Sequence, residues 1–264
     1  MEKGRDATMT ERRDALRAYI DEHGAASTDE LCALFPDRSP MTIRRDLGYL
    51  ARTGVITRTH GGARALRRGE VQLESFYYER ESENTMLKSR LASLAIPFVE
   101  ARRSLFIDSG STTMIFAQLL PDKDLTILTS APNIALHIAT QKPTCSVLLT
   151  GGAVNRNTLS CSGYGSAEIL QSLNIDIAFM GASGFSETGG FTAGEHAECL
   201  LKRLVLGKAG RVILLMDSSK IGKNMPYTFA RPSEIHILIT DIGLPAIIET
   251  QLQAEGVQVI KAER

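Results

Sequence analysis

The chain has 264 residues, and its thirty basic and thirty acidic side chains give zero formal charge at neutral pH. That length allows one large or two moderate domains with a sizeable core, and a neutral sum on its face argues against a nucleic-acid binder. With 43% apolar residues and no tryptophan, no run approaches the roughly 18 to 20 apolar residues of a membrane span, and the polar start MEKGRDATMTERRD has no signal-peptide form, which predicts a cytoplasmic protein.

Ala15, Leu16, Tyr19 and Ile20 recur at helical spacing before His23-Gly24, which predicts a first helix over 10–22. Ser27 and Glu30 have the spacing of a capping box, with Leu31, Leu34 and Phe35 as the inner face of a second helix that ends at Pro36-Asp37. Ser39 caps a third helix with Pro40 at its first position, where a missing N–H costs nothing. In that helix Ile43, Leu47 and Leu50 share one face, while Met41, Arg44, Arg45 and Arg52 project from the other. Gly48 on the outer side costs about 1 kcal/mol of helix propensity, acceptable where a surface must approach closely. Gly54 closes the helix, and VITRTHGGAR reads as two short strands joined at Gly61-Gly62.

Charge is unevenly spread. From Arg38 to Gly69 there are Arg38, Arg44, Arg45, Arg52, Arg58, Arg64, Arg67 and Arg68 against the single acid Asp46, a basic patch inside a neutral chain. Three small helices and a hairpin carrying such a patch describe a winged helix-turn-helix, with the third helix entering the major groove of double-stranded operator DNA. Its DNA-binding residues are expected to be Ser39, Met41, Thr42, Arg44, Arg45 and Arg52, with Arg58, His60 and Arg64 on the wing touching backbone or minor groove.

At these residues the sequence resembles the DeoR family of bacterial transcription regulators, on Ser39, Met41 to Leu47, Arg58 and His60 to Ala63. Arg38 departs from the apolar residue that the family usually has there. Asp46 belongs to the family signature, but a carboxylate repels phosphate, so it is expected to orient a neighbouring arginine. The resemblance continues through ESFYYERESENTMLK to Lys88. The expected domains are a winged helix-turn-helix over 1–69, a linker helix region over 70–103 with Leu87, Leu91, Leu94 and Ala95 at helical spacing, and an effector domain over 104–264.

From Ser104 onward, short apolar runs (SLFID, LTILT, SVLLT, IDIAFM, RVILLM, IHILIT) alternate with helical stretches, which predicts an α/β fold: an open, mostly parallel, doubly wound sheet. Ligands bind such sheets at the carboxyl ends of the strands. The first run ends in Asp108 and leads through Ser109, Gly110, Ser111, Thr112 and Thr113 into a helix whose first N–H groups suit an anion, although small polar residues also simply cap helices. Other runs end at Thr129-Ser130, Gly151-Gly152, Gly181-Ala182-Ser183-Gly184 and Asp217 to Lys220, and together these glycines, hydroxyls and a lysine predict a phosphate-binding cleft.

The DeoR effector domain is similar to ribose-5-phosphate isomerase-like enzymes, and this resemblance implies a phosphorylated sugar as effector. It maps family motifs onto Asp176, Phe179 and Gly181, onto Asp217, Ser219 and Lys220, and onto Glu195, Glu198 and Lys202, a helix face that a solvated role explains equally well. Asn155, Arg156, Phe185, Phe191 and His196 are candidates for sugar identity. The implied function is a repressor, homo-oligomeric to match repeated half-sites. Two alternatives stay open: a sugar-phosphate isomerase carrying a DNA-binding module, and a large domain that only oligomerises. Cys32, Cys145, Cys161 and Cys199 are scattered without a C-x-x-C spacing, as are the five histidines, so buried thiols are expected and neither metal nor cofactor.

Overall fold

The computed structural model describes residues 9–52, 55–59, 61–65 and 76–263, apart from the side chains of Thr10 and Arg52. The chain divides into two compact units, Met1–Val71 and Gln72–Arg264.

In the first unit, α1 (Met9–His23), β1 (Ala25–Ser27), α2 (Thr28–Ala33) and α3 (Pro40–Arg52) are followed by β2 (Ile56–Arg58) and β3 (Gly62–Ala65). The capping box forms as its spacing predicts: the Ser27 hydroxyl accepts from the Glu30 N–H at 3.2 Å, and the Glu30 carboxylate accepts from the Ser27 N–H at 2.7 Å. α2 ends at Ala33, a turn earlier than Pro36 suggests. Leu16, Ile20, Leu31, Ile43 and Leu47 are fully buried together, each contributing roughly 1.5–3 kcal/mol of apolar burial. β2 and β3 pair antiparallel as the wing. The short β1, which the sequence reading missed, pairs on the other side of β3, giving the order β1-β3-β2. Gly62 makes this approach possible, because a Cβ there would lie 2.1 Å from the Ala26 carbonyl oxygen. Gly54, Arg67 and Arg68, and the expected boundary between 69 and 70, lie outside the described residues.

The second unit opens with α4 (Tyr77–Ser82) and α5 (Thr85–Ala95), then β4 (Ser104–Ile107), α6 (Ser111–Leu119), β5 (Thr126–Thr129), α7 (Pro132–Gln141) and β6 (Ser146–Leu149). A hairpin of β7 (Ala153–Asn155) and β8 (Ser160–Ser162) leads to α8 (Tyr164–Gln171) and β9 (Ile175–Gly181). β10 (Gly184–Ser186), β11 (Gly190–Ala193), α9 (His196–Lys208) and β12 (Ala209–Leu215) follow. β13 (Tyr227–Ala230), β14 (Ile237–Asp241), α10 (Ala246–Ala254) and β15 (Gln258–Ala262) complete it.

Seven strands form one parallel sheet in the order β15-β14-β12-β9-β4-β5-β6. The six apolar runs supply six of them. Alternate residues bury on opposite faces: Val212 and Leu214 join one core, Ile213 and Leu215 the other, and burial on both faces is why these strands read as unbroken apolar runs. One face is covered by α5, α6 and α7 through Leu91, Phe116 and Ile134. The other packs Leu170, Val205 and Ile248 of α8, α9 and α10, together with Phe185, Phe191 and Phe229 of the small antiparallel sheet β10-β11-β13. Leu91, Ala92 and Ala95 of α5 are fully buried. The 70–103 region expected as a linker therefore supplies part of the second unit's core.

The chain runs from β4 outward to β5 and β6, then returns to β9 on the other side of β4. The strand order therefore reverses between β4 and β9, the place where sheets of this kind open a ligand crevice. Among the described residues no helix is long and apolar enough to cross a membrane.

Candidate functional site

On α3 the inner face is buried, while Met41 is 64% exposed and Arg44 and Arg45 are exposed. The Ser39 hydroxyl accepts from the Thr42 N–H at 3.2 Å and lies 3.0 Å from the Thr42 hydroxyl, fixing the helix start. Arg58 on β2 donates to the Arg44 carbonyl at 3.2 Å, tying the wing to α3. Arg64 on β3 is half-buried and its guanidinium reaches the Ala65 carbonyl. Asp46 is 2% exposed and accepts from Arg12 at 2.6 Å and Arg13 at 2.9 Å, both from α1, while the Arg13 guanidinium stacks 3.7 Å from the Tyr49 ring centre. The acid of the basic segment thus points inward, and the exposed face of α3 keeps its positive charge. His60 and the Arg52 side chain lie outside the described residues.

In the second unit the switch point is built around Asp108. Its N–H donates to the Phe179 carbonyl at 3.0 Å, and its Oδ2 accepts from the Gly181 N–H at 2.9 Å, pinning β4 to β9 where they diverge. The Lys202 ammonium from α9 reaches the same Asp108 oxygen and donates to the Gly181 carbonyl at 3.0 Å. Glu198, one turn earlier, lies 3.3 Å from that ammonium.

Beyond Asp108, Gly110 takes φ +142°, a region that favours glycine, and turns the chain into α6. Gly110 at the N-cap position offers no side chain to cap α6, and the first N–H groups of a helix have no partner within it. Ser109 to Thr113 line a cleft together with Gly181, Ala182 and Ser183. Asp217 accepts from the Ser219 N–H at 3.0 Å, shaping the turn that brings Lys220 to the same cleft. Arg80 of α4 and Lys88 of α5 complete the lining, with Glu198 and Lys202 behind.

The cleft is rich in cations. Lys88 is buried and its ammonium donates to the Arg80 carbonyl. Burial, and then the charge of Lys220, bring its pKa down to about 8, against the pull of Asp217 and Glu83. Lys223 is brought down to about 8 by the same causes. Lys88 and Lys220 thus share the cleft, and the charge of Lys220 acts on both Lys88 and Lys223.

Of the effector residues expected from sequence, Ser109, Gly110, Ser111, Thr112, Thr113, Gly181, Ala182, Asp217 and Lys220 line this cleft, and Asp108 braces it from below. Others do not reach it. Asp176 stands at the opposite end of β9, about 16 Å of strand from Gly181, where it accepts from the Ser104 N–H at 2.8 Å. Thr129 accepts from the Ala131 N–H at 3.1 Å at the start of α7, and Ser130 holds Cys161 through its carbonyl. Gly151 and Gly152 turn the chain toward the β7–β8 hairpin beside Ser162 and Ser166. Glu195 is exposed ahead of α9. Phe185 and Phe191 pack against each other in the core, ring centres 4.6 Å apart, and read no sugar.

Sequence reasoning named Ser183, which lines the cleft, but missed Arg80 and the burial of Lys88, Glu198 and Lys202. The signal was present: Lys88 shares the stripe of Leu91, Ala92 and Ala95, and Glu198 and Lys202 share that of Leu201 and Val205. A charge on a buried stripe requires a partner. Among the described residues no three His, Cys, Asp or Glu side chains gather as a metal site.

Comparison with known proteins accounts for both units. Residues 12–68 match the DeoR-like helix-turn-helix domain and residues 83–242 the DeoR C terminal sensor domain. The HTH-type transcriptional regulator IolR of Bacillus subtilis is 34% identical over 231 residues, 87% of this chain and 90% of that protein. GlpR of Haloferax volcanii, also an HTH-type transcriptional regulator, is 34% identical over 224 residues, 84% of this chain and 86% of that protein. Among solved structures, ribose 5-phosphate isomerase A of Methanocaldococcus jannaschii aligns with 53% of this chain and 56% of its own at 20% identity and a TM-score of 0.40. Both relatives are named as regulators, which favours regulation over the isomerase alternative. With both family domains in order along the sequence and relatives matched over most of their length, the chain belongs to the DeoR family of DNA-binding transcriptional regulators.

Proposed function

We propose that the chain represses a carbohydrate-catabolism operon and that a phosphorylated sugar at the β4–β9 switch point sets its operator affinity. The observation that carries the effector reading is the meeting of Arg80, Lys88 and Lys220 with the Ser109–Thr113 start of α6 in one cleft. Helix N-termini and lysines together favour a phosphate. Acceptors for sugar hydroxyls stand next to these donors, since Glu198 lines the cleft.

On the DNA side, Ser39, Met41, Thr42, Arg44 and Arg45 present base- and phosphate-binding groups from α3, and Arg58 and Arg64 do so from the wing. Half-sites repeated on DNA pair with a homo-oligomer, because symmetry in the operator mirrors symmetry in the protein. For the ligand to regulate, it must bind the DNA-competent and DNA-incompetent arrangements with different affinity.

Calorimetric titration with a panel of sugar phosphates tests the site. Thr112→Val removes a hydroxyl donor from the cleft and is expected to weaken the responding ligand by about 1.5–3 kcal/mol, the worth of a hydrogen bond to a charged group. An unchanged dissociation constant would reduce the Ser109–Thr113 loop to a helix start.

A further inference from the structure

α4 has only six residues, and helices shorter than roughly 12–15 residues do not persist on their own in water. It is held by the rest of the sensor unit. Tyr77, 2% exposed, donates its backbone N–H to the Asn157 carbonyl at 2.6 Å, and its hydroxyl accepts from Asn133 Nδ2 at 2.9 Å. The helix packs on α6, whose first turn lines the cleft. At its other end, the Lys88 ammonium donates to the Arg80 carbonyl, in the last turn, where helix carbonyls lack partners within the helix. α4 is also the first described element after β3 along the chain, and so the sensor element nearest in sequence to the DNA-binding unit.

We infer that α4 is the part of the sensor that registers whether the cleft is filled: a bound phosphate is held by Arg80 from α4 as well as by Lys88 and Lys220, and this contact orders α4. The inference rests on the phosphorylated-ligand reading above and adds Arg80 and Lys88 to its binding residues. Both line the cleft together with the loop that opens α6. A dianion beside Lys88 stabilises the ammonium form, which holds the Arg80 carbonyl by a charge-assisted hydrogen bond. The Arg80 guanidinium, with planar donors suited to phosphate oxygens, then joins the same ligand from the same helix. Ligand energy is thereby spent on ordering a helix that is weak alone, the differential contact that coupling between two sites requires.

Hydrogen exchange read by mass spectrometry on the full-length protein tests this, with inorganic phosphate as the probe and chloride at matched ionic strength as the control. Phosphate is expected to slow exchange in both 109–119 and 76–83, the latter by about tenfold, the size of one charge-assisted contact. In Arg80→Gln at saturating phosphate, 109–119 is expected to stay protected while 76–83 loses its gain. Protection of 109–119 alone, faster exchange in 76–83, or an Arg80→Gln response like that of the unmodified protein overturns the role of α4 and leaves the phosphate site standing. No change in either segment overturns both.

Discussion

Asp46 sits between Arg12 and Arg13 with 2% of its surface exposed. A carboxylate with two close guanidinium partners is a strong bracket between α1 and α3, and its worth appears when one side is removed. Asp46→Ala leaves buried positive charge uncompensated and is expected to cost about 3–5 kcal/mol, read as a lower Tm for the DNA-binding unit. An unchanged Tm would show that the arginines find water instead. Lys88 answers to pH. Its pKa in the folded chain, about 8, lies below the ordinary 10.5, so between these values the unfolded chain binds more protons and the contribution of this group to stability rises with pH. A phosphorylated ligand favours the ammonium form. Its binding should therefore take up protons near pH 8, and its affinity should fall as pH rises through that value. Calorimetry in two buffers of different ionisation enthalpy measures the uptake, and proton release would contradict this placement of the anion.

Among the elements, β3 depends on a single glycine. Gly62→Ala would put a Cβ 2.1 Å from the backbone oxygen of Ala26, so β1 and β3 must part. The expected cost is about 1–3 kcal/mol of stability, the usual penalty for overpacking, together with weaker DNA binding as the wing shifts; a denaturation midpoint equal to that of the unmodified protein would deny the close approach. β1 itself escaped the sequence reading because three residues carry no period. β15 escaped because Gln258 and Lys261 interrupt its apolar run at the sheet edge. The other six parallel strands were legible because burial on both faces leaves them little but apolar residues. The cleft was legible to the extent that it follows from strand ends: Asp108 to Thr113 and Asp217 to Lys220 fall there by topology. Asp176 was misplaced because a motif spanning β9 includes both ends of the strand, and only one end faces the cleft. Lys88, Glu198 and Lys202 belong to helices, where a charged residue reads as a solvated face unless its stripe is compared with its apolar neighbours.

The chain joins a module that presents arginines to DNA with a sheet whose switch point gathers cations. The zero net charge is an average over the chain: arginines gather on α3 and the wing, where Asp46 is turned inward against Arg12 and Arg13, and acids elsewhere in the sequence balance them. The link between them is thermodynamic, since a ligand shifts DNA binding only by its differential affinity for the two arrangements. For the repressor proposed above to be released, the ligand must favour the arrangement detached from DNA. The most direct measurement is fluorescence anisotropy of the full-length protein on DNA from upstream of its own reading frame, titrated with pentose, hexose and ketose phosphates beside their unphosphorylated sugars. One sugar phosphate should raise the dissociation constant for DNA by about 5- to 150-fold, the usual range of coupling between sites, while its unphosphorylated form does nothing. Sequence-specific DNA binding that ignores every phosphorylated sugar in the panel would contradict the account.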